Sequence, residues 1–350
     1  MKILVLGGTG AIGGHLVQFF SNNGIEVIVT SRARRNSGKT VRYLQGNAHD
    51  LEFLQSVLQE RWSAIIDFMT YTTAEFEKRV NLLLNATSQY IFLSSSRVYA
   101  DSESLITEMS SRLLDVTQDE TFLLTDEYSL AKARQENTLK NSGKINWTII
   151  RPYITYSEKR MQLGVLEKEE WLYRALHGRT IVFCSDINSK ETTMTYGLDV
   201  AKGIMALIGD SSALGESFHI TVPDSVPWSK VLSIYLNVLE KHLGKRPRVL
   251  FQDLESFIEH KPSRYQIYYD RLFNRKFDNT KISKHIDVKR FEPVNEGLTR
   301  CLERFLQNPE FKKINWKAEG LKNRQTKERA SLKEITGLWQ KIRYLKFRYF

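Results

Sequence analysis

Tyr128 and Lys132 stand four positions apart in the run Asp126-Glu127-Tyr128-Ser129-Leu130-Ala131-Lys132 of a 350-residue chain. On a helix, residues at that spacing share one face. A phenol with an ordinary pKa of about 10 exchanges protons poorly near neutrality. An ammonium one turn away stabilises the phenolate and lowers that pKa. The same Lys132 can also hydrogen-bond a ribose hydroxyl. A serine at a neighbouring strand end would hold the substrate oxygen that gains or loses the proton. The run Ser94-Ser95-Ser96, directly after the apolar Tyr90 to Leu93, supplies one.

The Tyr and Lys spacing arises by chance in many helices, so it needs company. Gly7, Gly10 and Gly13 provide it, at spacing G-x-x-G-x-x-G, directly after the short apolar run Lys2 to Leu6. A helix follows from Gly14 to Phe20, with Leu16, Val17 and Phe20 inward. Strand, glycine turn and helix together place a pyrophosphate on a helix N-terminus. Gly7 permits the tight turn, Gly10 lets backbone approach the phosphates, and Gly13 lets the helix pack close to the strand. With Ala11 and Ile12 between the last two glycines, this turn is the expected dinucleotide site.

The elements that position these groups follow in order. Ile25 to Thr30 is a second strand, ending in Ser31-Arg32, with Arg34 and Arg35 beyond. A site for NAD usually has an acidic residue at that end, to hold the ribose 2′-hydroxyl. A hydroxyl and cations suit a 2′-phosphate instead, so NADP is expected, with NAD the alternative. Past the third strand, Val41 to Gln45, Asn47 is the candidate partner for adenine. After the fourth strand, Ala64 to Phe68, the residues Met69-Thr70-Tyr71 are expected beneath the ribose and phosphates, with Thr70 the candidate. The helix from Glu75 to Ala86 and the strand Trp147 to Ile150 complete the alternation. Asp101 to Thr125 reads as an acidic loop over the site, either a lid or a solvated surface segment.

These motifs resemble the extended branch of the short-chain dehydrogenase/reductase superfamily, the NAD-dependent epimerase/dehydratase family. The resemblance spans roughly Met1 to Leu306. It rests on the three glycines, on Ser95 before Val98-Tyr99, on Tyr128 with Lys132, and on Arg151-Pro152. It implies an α/β fold, a Rossmann-type doubly wound parallel sheet with a smaller C-terminal α+β substrate domain. It implies Ser95, Tyr128 and Lys132 as the catalytic set, Ser94 as support, and Pro152 with Tyr153 beside the nicotinamide. Dehydratases of this branch place an acid–base pair directly after the catalytic Ser or Thr, where this chain has Ser96 and Arg97. That departure favours simple hydride transfer, as in an epimerase or ketone reductase of a nucleotide-activated sugar, and family membership implies polysaccharide synthesis as the pathway. The resemblance implies an Arg between Tyr265 and Lys281, Arg271 or Arg275, as a diphosphate partner, while a structural salt bridge is the better reading of those residues. A homodimer is also expected.

Other segments resemble the atypical relatives that include chloroplast stem-loop RNA-binding proteins. These are Asn146 to Pro152, Glu169-Glu170-Trp171 and Gly178-Arg179. Those relatives tend to lose the Tyr and Lys pair, which this chain keeps, so an enzyme is the first reading and an RNA-binding protein the second. The expected division is a cofactor-binding core over 1–153 completed by later segments, a mainly substrate-binding region over 154–307, and a basic tail over 308–350.

Apolar residues make up 41% of the chain and its net charge is +11. That composition argues against disorder. The two cysteines, Cys184 and Cys301, form neither a disulfide framework nor a zinc site, and the histidines have no metal-ligand spacing. With no apolar run of the ~18 residues that a membrane span needs, a cytoplasmic protein is expected. From Phe311 onward twelve Lys and Arg face three Glu. There Leu338, Trp339, Ile342, Leu345 and Phe347 interleave with Lys341, Arg343, Lys346 and Arg348. This pattern fits a solvated tail or an amphipathic helix on an anionic membrane, with nucleic acid the less favoured partner.

Overall fold

The computed structural model describes residues 1–350. Its chain forms two compact units. The first comprises residues 1–155, 193–224 and 276–292, and the second 156–192, 225–275 and 293–350.

Seven strands build the sheet of the first unit. They are β1 (Ile3–Leu6), β2 (Val27–Ser31), β3 (Val41–Gln45), β4 (Trp62–Asp67), β5 (Thr87–Leu93), β6 (Trp147–Pro152) and β7 (Glu216–Ile220). Their spatial order is β7-β6-β5-β4-β1-β2-β3, and every neighbouring pair is parallel. All four residues of β1 are buried, which is why it reads as an unbroken apolar run. The order reverses between β1 and β4, the switch point at which such sheets open a crevice at their carboxyl ends. Helix Gly13–Asn22 buries Leu16, Val17 and Phe20 and packs against helix Gly197–Leu207. Helix Tyr128–Lys140 packs beside Thr73–Glu77 and Leu113–Val116.

Two local readings change. The helix expected over Glu75 to Ala86 is two, Thr73–Glu77 and Val80–Asn85. Between them Arg79 turns its buried guanidinium onto the carbonyls of Glu75 and His49. The loop over Asp101 to Thr125 is anchored, because Ile106, Leu113 and Phe122 are buried.

The second unit carries helices Lys168–Leu176, Trp228–Leu243 and Val294–Gln307, and the parallel strand pair Ile181–Cys184 with Val249–Gln252. Trp171 and Tyr235 stack at 4.5 Å between ring centroids. Residues 308–350 fold onto this unit as helices Trp316–Gln325 and Leu338–Tyr349, so the segment is no solvated tail. Tyr173, Trp316, Ala330, Ile335 and Tyr344 form their apolar contact. Beside it lies a buried charge network. Arg174 reaches Glu319 at 2.8 Å, Asn323 at 2.9 Å and Glu328 at 3.2 Å, and Arg179 reaches Glu334 at 2.9 Å. No helix is long and apolar enough to cross a membrane.

Candidate active site

The glycine turn leaves β1 at the switch point. Gly7 sits at φ +72°, a conformation that favours glycine, and its N–H meets the Thr30 hydroxyl at 3.2 Å. A Cβ on Gly13 would lie 2.7 Å from the Gly8 Cα, so Gly13 closes the turn on itself as well as admitting the helix. Gly10 faces open space. No side chain caps the helix at Ile12, and the first N–H groups of a helix have no partner within it. Such an end suits an anion, and the open Gly10 surface lets one approach. Behind the turn, a Cβ on Gly197 would collide with the Ala11 carbonyl oxygen, so a second helix start buttresses the loop. The residues present therefore fit a dinucleotide pyrophosphate.

The other cofactor candidates are distributed around the strand ends. Ser31 is buried, donates to the Ala33 carbonyl at 2.8 Å and accepts from Arg35 at 3.3 Å. Arg35 in turn lies over the Tyr43 ring, while Arg32 is exposed. Asn47 is exposed and its side chain accepts from the His49 N–H at 3.3 Å. Thr70 is exposed and Pro152 is buried at the end of β6. Tyr71 is a core residue whose hydroxyl donates to Asp67 at 3.1 Å.

Helix Tyr128–Lys140 brings Tyr128 and Lys132 to the end of β5. Lys132 is only 2% exposed, and its Nζ donates to the Leu93 carbonyl at 2.8 Å. It lies 6.0 Å from the centre of the half-buried Tyr128 ring. Burial pushes the Lys132 ammonium down to about 8, against the pull of the Asp67 and Glu136 carboxylates. Ser95 caps the turn Ser96–Val98, its Oγ accepting from the Arg97 N–H at 3.2 Å. The Arg97 guanidinium lies 5.2 Å from the Tyr128 ring centre and pairs with Glu127 at 2.6 Å. A cation thus stands near the phenol from both Arg97 and Lys132.

Two carboxylates beneath the site were not singled out in the sequence. Asp67 is fully buried, accepting from Tyr90 at 2.8 Å and from the Met69 N–H at 2.9 Å, and burial raises its pKa. Glu136 accepts from Ser94 at 2.6 Å and binds Arg151 in two bonds of 2.8 and 2.7 Å. Burial opposes its charge, yet Arg151 and Ser94 hold its carboxyl below the ordinary range. Its place one turn beyond Lys132 is the signal that was available. Arg112, from the 101–125 segment, reaches the same carboxylate at 3.3 Å. Ser96 donates to the Arg151 carbonyl at 2.8 Å, a structural role.

In the second unit, Arg271 and Arg275 are both buried against Asp270. Arg271 also donates to the Gly164 carbonyl at 3.0 Å, so these arginines brace the fold rather than present a surface for a diphosphate.

A parallel sheet with a glycine turn at its switch point defines a Rossmann-type α/β protein. The sequence profile of the NAD dependent epimerase/dehydratase family matches residues 3–221, and the chain belongs to that family. A UDP-glucuronic acid 4-epimerase from Bacillus cereus, solved with NAD, has a TM-score of 0.66 at 17% identity, covering 88% of this chain and 98% of that one. An epimerase from Methanothermobacter thermautotrophicus has a TM-score of 0.67 at 15% identity, covering 88% and 92%. Among curated proteins, the chloroplast stem-loop binding protein of 41 kDa b from Arabidopsis thaliana is 22% identical over 285 residues, 73% of this chain and 71% of that one.

Proposed function

We propose that the protein is an NAD(P)-dependent epimerase or ketone reductase of a nucleotide-activated sugar, acting through Ser95, Tyr128 and Lys132. The observation that carries this reading is the buried Lys132 on the same helix face as Tyr128, at the end of β5 beside Ser95. In the oxidative direction the Tyr128 phenolate takes the proton of a sugar hydroxyl while Ser95 Oγ donates to the same oxygen. Lys132 and Arg97 supply positive charge that makes the phenolate accessible. A nicotinamide cofactor held at the glycine turn would supply the hydride acceptor and donor. In the reverse direction Tyr128 gives its proton back to the alkoxide oxygen. With Ser96 and Arg97 after Ser95, no carboxylate follows the catalytic serine, which disfavours elimination of water.

The nucleotide-sugar class is supported by the names of structural neighbours, including the Bacillus cereus enzyme. NADP is favoured over NAD by Ser31, Arg32 and Arg35 at the end of β2, although the Bacillus cereus neighbour was solved with NAD. Titration of the purified protein with each cofactor, followed by turnover on a panel of UDP- and dTDP-sugars, tests the reading. Failure to bind either cofactor would remove it.

An RNA-binding reading draws on the Arabidopsis relative. The segments that resemble such proteins are occupied internally here. Glu169 accepts from the Lys312 N–H, Glu170 pairs with Lys261, Trp171 is wholly buried, and Arg179 pairs with Glu334. Glu169 and Arg179 hold residues 308–350 in place, and with these segments engaged inside the unit the enzyme is the favoured reading.

A further inference from the structure

We infer that the outer face of helix Leu338–Tyr349 is a docking surface for an anionic lipid membrane. The helix is anchored by Tyr344, which is buried and accepts from the Ala330 N–H at 2.6 Å and from Asn323 at 3.0 Å. That anchor fixes which face turns outward. Leu338 is 71% exposed and Trp339 81%, and Ile342, Tyr349 and Phe350 are exposed with them. Leu338, Ile342 and Tyr349 fall on one line along the helix. Arg343 and Lys346 are exposed beside Trp339. Leu345, which the bare pattern grouped with Leu338 and Ile342, is instead half-buried toward the unit and packs on the cluster around Tyr344.

The charge on this segment points to the occupant. Residues 311–350 hold twelve Lys and Arg and three Glu. All three carboxylates are spent internally: Glu319 on Arg174 and Lys322, Glu328 on Arg174 and Arg248, and Glu334 on Arg179. Nine of the twelve cations remain exposed. What faces solvent along this segment is therefore positive charge with large apolar side chains set in it. An aromatic and aliphatic face edged by Lys and Arg is the composition that seats in the headgroup region of an anionic bilayer. Lys and Arg stems reach past the apolar residues to the phosphates. RNA would use the cations and aromatic rings, and leaves Leu338 and Ile342 without a partner.

The test is co-sedimentation of the full-length protein with phosphatidylglycerol/phosphatidylcholine vesicles and with phosphatidylcholine alone, at low and high salt. Wild type should pellet with the anionic vesicles and be released by salt. The variants L338S/W339A/I342S and R343E/K346E, which leave Tyr344 in place, should each lower partitioning at least ~10-fold with an unchanged melting temperature. Absence of wild-type binding, or binding that both variants keep, overturns the proposal. So does tighter binding of a stem-loop RNA probe through the same residues, or a change of oligomeric state in these variants in place of a change in lipid binding. The readout needs no turnover, so its failure is distinct from failure of the enzymatic reading.

Discussion

The Nζ of Lys132 donates to the Leu93 carbonyl oxygen at 2.8 Å, tying the helix that carries Tyr128 to the strand that leads into Ser95. The bond bridges 39 residues of sequence and fixes a cation in a buried position. It explains how one side chain can orient the helix and charge the phenol's surroundings together.

The first prediction concerns pH. Burial lowers the Lys132 ammonium to about 8, so it is charged below that value and neutral above it. Loss of the charge removes stabilisation of the phenolate, and turnover should fall on the alkaline side near pH 8. In Lys132→Arg the guanidinium keeps its charge, and this limb should disappear even though the residual rate is lower. Rate–pH profiles of both proteins check it; an identical limb in the variant would assign the ionisation to another group.

Cofactor choice is tested at the end of β2. Arg32→Asp places a carboxylate where a cation is available to a 2′-phosphate, and a carboxylate repels phosphate while accepting from ribose hydroxyls. The ratio of NADP to NAD affinity should drop at least ~10-fold. An unchanged ratio in paired titrations would show that Arg32 does not read the 2′ position and would direct attention to Arg35.

The glycine turn and the Tyr128/Lys132 spacing were legible because each is local: one turn, and one helix face. Asp67 and Glu136 were not. Their partners, Tyr90 for the first and Arg151 and Arg112 for the second, lie at distances in sequence that no periodicity reports. The segment past residue 308 misled for a related reason. Buried charges such as Glu319 and Lys322 look the same in sequence as solvated ones, and only the facing Arg174 shows that they are interior. At Arg271 and Arg275 the resemblance suggests a diphosphate partner while the bare residues favour a structural salt bridge, and Asp270 pairs with both.

Acid sensitivity should arise in this same network. Burial, with Lys322 and Arg174 nearby, lowers His260 from 6.5 to about 3, while Lys322 and Arg174 overcome the cost of burying Glu319 and bring it from 4.5 to about 2. Below pH 6.5 the unfolded chain protonates His260 and the folded chain does not, so stability falls as pH falls; Glu319 adds to this below 4.5. In His260→Gln the loss between pH 6.5 and 4.5 should be reduced. Urea midpoints across that range measure it, and parallel curves for the two proteins would place the acid response elsewhere.

The most direct measurement on the central claim pairs cofactor binding with turnover in Tyr128→Phe. The variant removes one hydroxyl from a half-buried ring and leaves the glycine turn and Lys132 in place. Its cofactor affinity should match wild type, and its rate of hydride transfer with a nucleotide sugar should fall at least ~100-fold, the scale of a lost acid–base group. Turnover equal to wild type, with cofactor bound, would contradict the assignment of Tyr128 as the group that moves the proton.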